Sequence, residues 1–482
     1  MGFWDHNRKF NRQVISVLLL SAILVLSSCG SQGKVAQPDA YQGSGTETTD
    51  MAQQSGSVQN ASYGSVLASY GVALPVSRPG IYVNVAGYVA DREKKVIFAN
   101  AHGQTFDVVR SRDGKVVYTG IIPRGEEDPL SGLVLSIGDF TAFEEPGTYY
   151  IHTDIVGQSY AFRIAEDTYE NLFLSMLKNI SNTDMQESPE GVCDVSFGMH
   201  AMMYALQCNG SLFEAAYQHL DKSEQDQQLV TQLLYMGKWL SSRQKSDGSI
   251  YDNYEATAAF CGIMAMSRDM FGRYEANVGR EYQYAADTAW EWLEQQACET
   301  DREKSARFYA AAQLFKADGG EKYKAIAEEF LRAKGEDYSS ERFVFYGVLA
   351  YISAEKGTNR DLGTYIMKDM VDRVEAICEE VKLDGIFGTG TRTAEENMSN
   401  MLHLSFVNYL TPSKEYTVII ENTIQYMGGL NENGFCYMGA DGTQIQSFEW
   451  KGIMLLSMGD MISNINELEN KAFRGMEIGG GD

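Results

Sequence analysis

Near Asp167 the chain changes its hydrophobic period, and that change limits the fold more than any other feature of the sequence. From about Arg78 to Ile164 the apolar residues alternate in short runs, as in "IYVNVAGYV", "KVIFAN", "FDVVRS", "KVVYTG" and "GTYYIHTD", with turn signals such as "RDGK" and "EEPGT" between them. Short alternating strands with turns every 8 to 12 residues predict a β-sandwich of about 90 residues. After Asp167 the spacing becomes three to four, which is helical. Amphipathic stretches begin near Tyr169, Val195, Asp226, Tyr254, Tyr282, Lys304, Lys322, Glu341, Gly363, Ala394, Tyr416 and Ser447. Twelve helices on short loops make six antiparallel hairpins, which can close into a double ring, a solenoid or a bundle.

The N-terminus reads as a processed segment. Arg8, Lys9 and Arg12 precede an apolar run from Val14 to Leu26, too short for a comfortable membrane span and suited to a signal peptide. "LSSCG" follows, with Cys29 after two serines, and resembles the lipobox of bacterial lipoproteins. The expectation is a signal peptide over residues 1–28, lipid attachment at Cys29 and an extracytoplasmic protein held to the bacterial cell membrane by that lipid alone. Residues 29–76 are rich in Ser, Gly and Gln and form a tether. The sandwich is assigned to residues 77–165, the helical domain to 166–470 and a tail to 471–482.

Charge narrows the partners. The net charge of −25 becomes −27 once residues 1–28, with three cations and one anion, are removed. Such a surface repels nucleic acid and anionic headgroups and leaves neutral glycans open. Six cysteines besides Cys29 show no CxxC and no Cys/His cluster, so no zinc site and no cofactor are expected. A structural calcium ion on loop oxygens stays open.

The segments "IYVNVAGYVADREKKVIF", "DGKVVYTG", "GDFTAFEEPGTYYI" and "YAFRIAEDTYENL" resemble the immunoglobulin-like domain that precedes the catalytic module of glycoside hydrolase family 9 cellulases. "LLYMGKWLSSRQKSDGSIYDNYEATAAFCGIMAMSRDM", "YQYAADTAWEWLEQQ" and "REKSARFYAAAQLFKADGGEKYKAIAEEFL" are similar to that family's helices. The likeness runs over roughly residues 78–470. It implies an immunoglobulin-like sandwich followed by an all-α (α/α)6 barrel with a glycan cleft at its open end, and breakdown of β-1,4-glucan.

The family's catalytic pattern is not preserved. Where the family reads DVSGGWHDAGDY, with the DAGD aspartates holding the attacking water, this chain reads "DVSFGMHAMMYA" over residues 194–205. Asp194, Val195, Ser196, Gly198 and His200 match, but Ala201, Met202, Met203 and Tyr204 occupy the DAGD positions. Neither aspartate is there, and a tyrosine is a poor base near neutrality. Anchoring the family's acid segment on Trp450 puts Ile445 at the acid position, and no His or Arg lies between His403 and Arg474 to supply the family's subsite motif.

Substitute carboxylates are Asp194, Glu396 and Glu449, with Glu255 and Glu395 also considered. Each has a plain structural role open to it: Asp194 as a helix cap, Glu255 as a first-turn acid, Glu395 and Glu396 as a capping group, Glu449 as a solvated or ion-paired residue. His200, Tyr251, Tyr254, Tyr437 and Trp450 are the candidates for sugar contact, since aromatic faces stack on sugar rings and polar tips bind hydroxyls. Three readings follow: a glycan-binding or degenerate hydrolase, an active inverting hydrolase with relocated carboxylates, and a protein-binding structural lipoprotein.

Overall fold

The computed structural model describes residues 80–469 apart from 129–131, 219–227, 273–275, 339–340, 356, 385, 440–441 and 443. The expected signal peptide, Cys29, the tether and the tail lie outside the described residues.

Among the described residues, ten strands make two sheets. One orders β1 (Ile81–Tyr82), β3 (Lys95–Ala99), β7 (Val134–Asp139) and β6 (Glu126–Glu127). The other orders β2 (Tyr88–Val89), β10 (Phe162–Ala165), β8 (Gly147–Thr153), β4 (Gln104–Arg110) and β5 (Val116–Ile122), with β9 (Gly157–Gln158) beside β8. All pairings are antiparallel except β2 with β10. Alternation buries one face of each sheet, so Phe98, Phe106, Tyr88, Phe140 and Phe162 share one aromatic core.

Twelve α-helices follow among the described residues: α1 (Thr168–Lys178), α2 (Pro189–Tyr217), α3 (Leu229–Ser241), α4 (Tyr254–Phe271), α5 (Ala276–Gln295), α6 (Asp301–Asp318), α7 (Glu321–Lys334), α8 (Arg342–Ile352), α9 (Arg360–Leu383), α10 (Ala394–Leu410), α11 (Lys414–Met427) and α12 (Phe448–Glu469). The even-numbered helices are buried nearly all round, as α8 is from Phe343 to Ile352, whereas odd ones such as α7 and α9 bury one stripe. Even helices therefore form the inner ring and odd helices the outer one. Neighbours α2, α4, α6 and α8 pack in sequence, α12 packs on both α2 and α10, and Phe345 on α8 meets His403 of α10 with ring centroids 4.3 Å apart, closing the circle.

Helix starts are set locally. Thr300 and Glu303 form a reciprocal capping box on α6, Asn253 caps α4 and Thr393 caps α10. The expected start of the second helix near Val195 is corrected to Pro189. Ser188 caps it through the Gly191 N–H, and Pro189 sits in the first turn where its missing N–H costs nothing.

The sandwich is fastened to the barrel. Arg92 grips Glu421 with two prongs, Nε to Oε1 at 3.0 Å and Nη2 to Oε2 at 2.6 Å, while the Tyr169 hydroxyl donates to the same carboxylate at 2.9 Å. The Val85 N–H donates to the Gly428 carbonyl at 2.9 Å. Arg392, just before α10, reaches Asp128 of the sandwich at 3.2 Å. No helix of the described residues is long and apolar enough to cross a membrane.

Candidate functional site

Since all inner helices run the same way, their N-termini and the loops that precede them gather at one end of the barrel, the mouth. The candidate carboxylates can be judged from where they stand along α2, α10 and α12.

Asp194 is near the start of α2 and faces the start of α12. Its Oδ1 accepts from the Ser447 hydroxyl at 2.5 Å and the Glu449 N–H at 3.2 Å, and its Oδ2 from the Phe448 N–H at 2.8 Å. Two otherwise unpaired N–H groups of α12 are thus satisfied by a side chain from another helix. Burial pushes the Asp194 carboxyl upward and the three hydrogen bonds pull it back. Substituting asparagine keeps the shape but turns an amide donor toward N–H groups, so Asp194→Asn should lower stability by about 2 kcal/mol. Thermal unfolding checks this, and an unchanged melting temperature would contradict the cap.

Glu449, in the first turn of α12, is 15% exposed and pairs with Arg342 of α8, Oε2 to Nη1 at 3.2 Å. Burial lifts its carboxyl to about 7 against the pull of Arg342, and Asp194 adds to the rise. Glu396 is exposed, bonded to the Thr391 hydroxyl, and its N–H receives the Thr393 cap. The described contacts bring Asp194 and Glu449 together and leave Glu396 in the capping group of α10.

The motif stretch itself runs down the barrel. With a 1.5 Å rise per residue, Tyr204 lies about 15 Å below Asp194 along α2. Ala201, Met202 and Met203 are fully buried, and Tyr204 nearly so, all in the core. They do not border an open cleft, contrary to the expectation drawn from the family pattern. Helix α2 starts at Pro189, so these residues lie in its fourth and fifth turns, where α12 and the other inner helices enclose them. Ile445 is 2% exposed and also belongs to the core.

His200 is fully buried, with Nδ1 3.2 Å from the Tyr309 hydroxyl and its ring against Tyr204 and Tyr346 at 4.9 and 4.5 Å. Burial, with Lys316 adding to it, holds its pKa well below the ordinary imidazole value. A neutral histidine boxed in by tyrosines is a core group rather than a sugar contact. Tyr437 is buried likewise, stacked over Tyr426 at 6.5 Å and edge-on to Phe435 at 4.9 Å. Trp450 is mostly buried one residue after Glu449. Tyr254 opens α4 but is buried in the core, within 6.5 Å of the Trp292 ring, and so is not placed for sugar contact; Tyr251 is half-buried in the loop before it, in a left-handed backbone conformation shared with Asp252. Two successive non-glycine residues at φ near 52° are uncommon and store strain at the mouth.

Three mouth residues carry no motif and are legible only once the ring closes: Arg342, Glu190 and Arg302. Arg342 Nη2 reaches Glu190 at 2.8 Å. Arg302 lies 3.9 Å from Glu190 and 3.6 Å from Glu255. Each sits in the first turn of its helix, a position where acids offset the helix dipole, and Arg342 stands next to the expected start at Glu341. Among the described residues no group of three or more His, Cys, Asp or Glu side chains is placed to hold a metal ion, and the six described cysteines are free thiols.

Residues 77–158 match the cellulase N-terminal immunoglobulin-like domain. Endoglucanase D of Acetivibrio thermocellus is 22% identical over 452 residues, covering 73% of this chain and 71% of the relative. A metagenome-derived glycoside hydrolase family 9 endoglucanase superposes with a TM-score of 0.63 at 16% identity, over 80% of this chain and 99% of that one. A family 9 protein of Bacteroides ovatus gives 0.61 at 15%, again over 80% and 99%. The chain has an immunoglobulin-like sandwich joined to a barrel with the (α/α)6 fold seen in family 9 glycoside hydrolases.

Proposed function

We propose that this family 9 cellulase-like protein is a glycan-binding relative that has lost the standard hydrolytic chemistry and works outside the cytoplasm, held to a membrane by lipid on Cys29. The observation that carries the reading is the employment of its carboxylates. The positions that align with the water-holding aspartates are core side chains in the helical stretch before the kink at Asn209, the position that aligns with the acid is a buried isoleucine, Asp194 is taken up in capping α12, and Glu449 is paired with Arg342. An inverting glycosidase needs a protonated carboxyl and a free carboxylate roughly 6.5 to 9.5 Å apart with a water between them. Here, of the two candidate carboxylates that meet at the start of α12, Asp194 is occupied in capping it and Glu449 is held by Arg342.

The partner follows from the relatives and from charge. Two of the similar proteins are described as endoglucanases, and a neutral β-glucan type polysaccharide is a partner an acidic chain does not repel. Tyr251, half-buried in the loop at the mouth, is the side chain proposed to stack on it.

A second reading has one specific observation in its favour. A carboxyl lifted to about 7 is poised as a general acid, and Glu449 is such a group. Incubating the purified protein with a panel of β-glucans, following bound polysaccharide and new reducing ends together, separates the readings. Saturable binding with no new reducing ends is expected. Reducing ends that vanish in Glu449→Gln would establish hydrolysis, and the lack of both signals would turn the reading toward a protein partner.

A further inference from the structure

A cleft of about 410 Å³ lies at the seam between sandwich and barrel. The turn after β2 lines one side of it with Arg92, α11 lines another, and Ile465 in the last turns of α12 borders it. Ile465 follows Glu449 by 16 residues, which is about 24 Å along α12. The cleft and the mouth are therefore separate places. Sites for small molecules run from about 300 to 1,000 Å³ and favour the junctions of domains.

The side of the cleft formed by α11 is polar and mostly buried. Glu421, Asn422 and Gln425 stand three or four positions apart along α11, with Val418 one turn earlier, so all four share a face. Glu421 is already spent, since Arg92 and the Tyr169 hydroxyl occupy its carboxylate. The two carboxamides are only half spent. Gln425, 6% exposed, donates its Nε2 to the Tyr169 hydroxyl at 3.4 Å, and Asn422 donates its Nδ2 to the Gly388 carbonyl at 3.2 Å. Among the described residues neither side-chain oxygen accepts a hydrogen bond. An enclosed carbonyl oxygen without a donor costs free energy, and a ligand that brings a donor recovers it.

Beside these acceptors Val418, 37% exposed, and Ile465 offer an apolar strip on which water gains nothing. The charges cancel: Arg92 faces Glu421, Glu93 pairs with Lys95 at 2.9 Å, and Asp91 and Lys414 on the lining are one of each sign. Neither an anion nor a cation is favoured. The ligand that fits has hydroxyl donors along one edge, an apolar face and no net charge, which describes a sugar ring. We propose that the seam cleft binds a small neutral saccharide of one or two rings, and that the bound sugar joins the sandwich to the barrel. The site does not involve the mouth and stands whether or not the mouth binds polysaccharide.

The test follows amide hydrogen exchange in the full chain with cellobiose, and with glucose as the smaller probe. Sugar at about ten times its dissociation constant should slow exchange about tenfold in α11 from Val418 to Gln425 and in the turn at Arg92. Val418→Trp, at an exposed position from which the indole fills the cleft, should abolish the slowing. Gln425→Leu should weaken the affinity about tenfold, the worth of one hydrogen bond to an enclosed acceptor. Unchanged exchange at the seam of the parent protein with both sugars in large excess, or slowing that persists in Val418→Trp, overturns the proposal. Polysaccharide bound by Val418→Trp should equal that bound by the parent, so failure at the seam and failure of the function proposed above are read apart.

Discussion

Removal of the Arg342 side chain is expected to destabilise the barrel by about 3 kcal/mol at pH 8 and by much less at pH 5.5. Taking one partner from an enclosed ion pair leaves the other charge poorly solvated, which costs about 3 to 5 kcal/mol when burial is complete. Arg342 is 25% exposed, so the lower end applies. The pH dependence follows from Glu449, whose folded carboxyl at about 7 lies above that of an ordinary glutamate. A group raised in this way binds more protons in the folded chain than in the unfolded one, so its ionisation lowers stability as pH rises from the ordinary glutamate range through 7. Without Arg342 that carboxyl rises further, and the gap between variant and parent opens at and above neutrality. Below neutrality Glu449 is protonated in both proteins, and mainly the contacts of Arg342 with Glu190 and Phe197 are lost. Chemical denaturation of the parent, Arg342→Ala, Glu449→Gln and the double variant at both pH values completes the cycle. The double variant should recover most of the loss at pH 8. A loss independent of pH, or no recovery, would mean that packing on Phe197 dominates.

The architecture was legible because period is a local property. The change at Asp167 separated strands from helices, and stretches expected near Tyr254 and Ala394 begin there, with others such as Lys304 and Tyr416 two or three residues late. The start of α2 was less legible: "ESPEG" carries a serine cap and a first-turn proline, but the family pattern drew attention to the residues after Cys193. The six-residue difference leaves Ala201 to Tyr204 helical either way, but moves them from the second and third turns of the helix to the fourth and fifth, deep in the barrel. The mouth charges were illegible for another reason. Glu190, Glu255, Arg302, Arg342 and Glu449 are spread over some 260 positions; each glutamate alone is an ordinary first-turn acid, and each arginine alone a charge with no motif around it. Only ring closure makes them one chain of pairs. The plain readings of Glu449 as ion-paired and Asp194 as a cap do describe the observed contacts, although capping α12 from α2 has no signature in sequence.

The residues that match the family pattern in this stretch have structural work here, and Gly198 gives the sharpest test of that. A methyl group at Gly198 would stand 2.5 to 2.6 Å from the Phe448 carbonyl carbon, carbonyl oxygen and Cβ, where backbone leaves nothing to swing aside. Across the seam, a methyl group on Gly452 would come within 2.7 Å of the Gly198 carbonyl oxygen and 2.8 Å of the Ala201 Cβ. Helices α2 and α12 therefore meet at glycine, closer than any side chain permits. Gly198→Ala must push them apart, and overpacking of this kind costs about 3 kcal/mol, or roughly 4 to 5 °C in melting temperature for a unit of this size. The same displacement would draw Asp194 away from Ser447 and the first N–H groups of α12, so the cap should fail along with the seam. Exchange protection at the start of α12 should fall in Gly198→Ala as it does in Asp194→Asn, while Gly319→Ala, at a left-handed but open helix end, should cost only about 1 kcal/mol. An unchanged melting temperature for Gly198→Ala would show that the two helices can part freely. If it falls as expected, Asp194 and Gly198 are explained by how α2 holds α12 and His200 by its ring of tyrosines, without appeal to hydrolysis, while the positions that carried the chemistry in the family pattern are the ones this chain has given to its core.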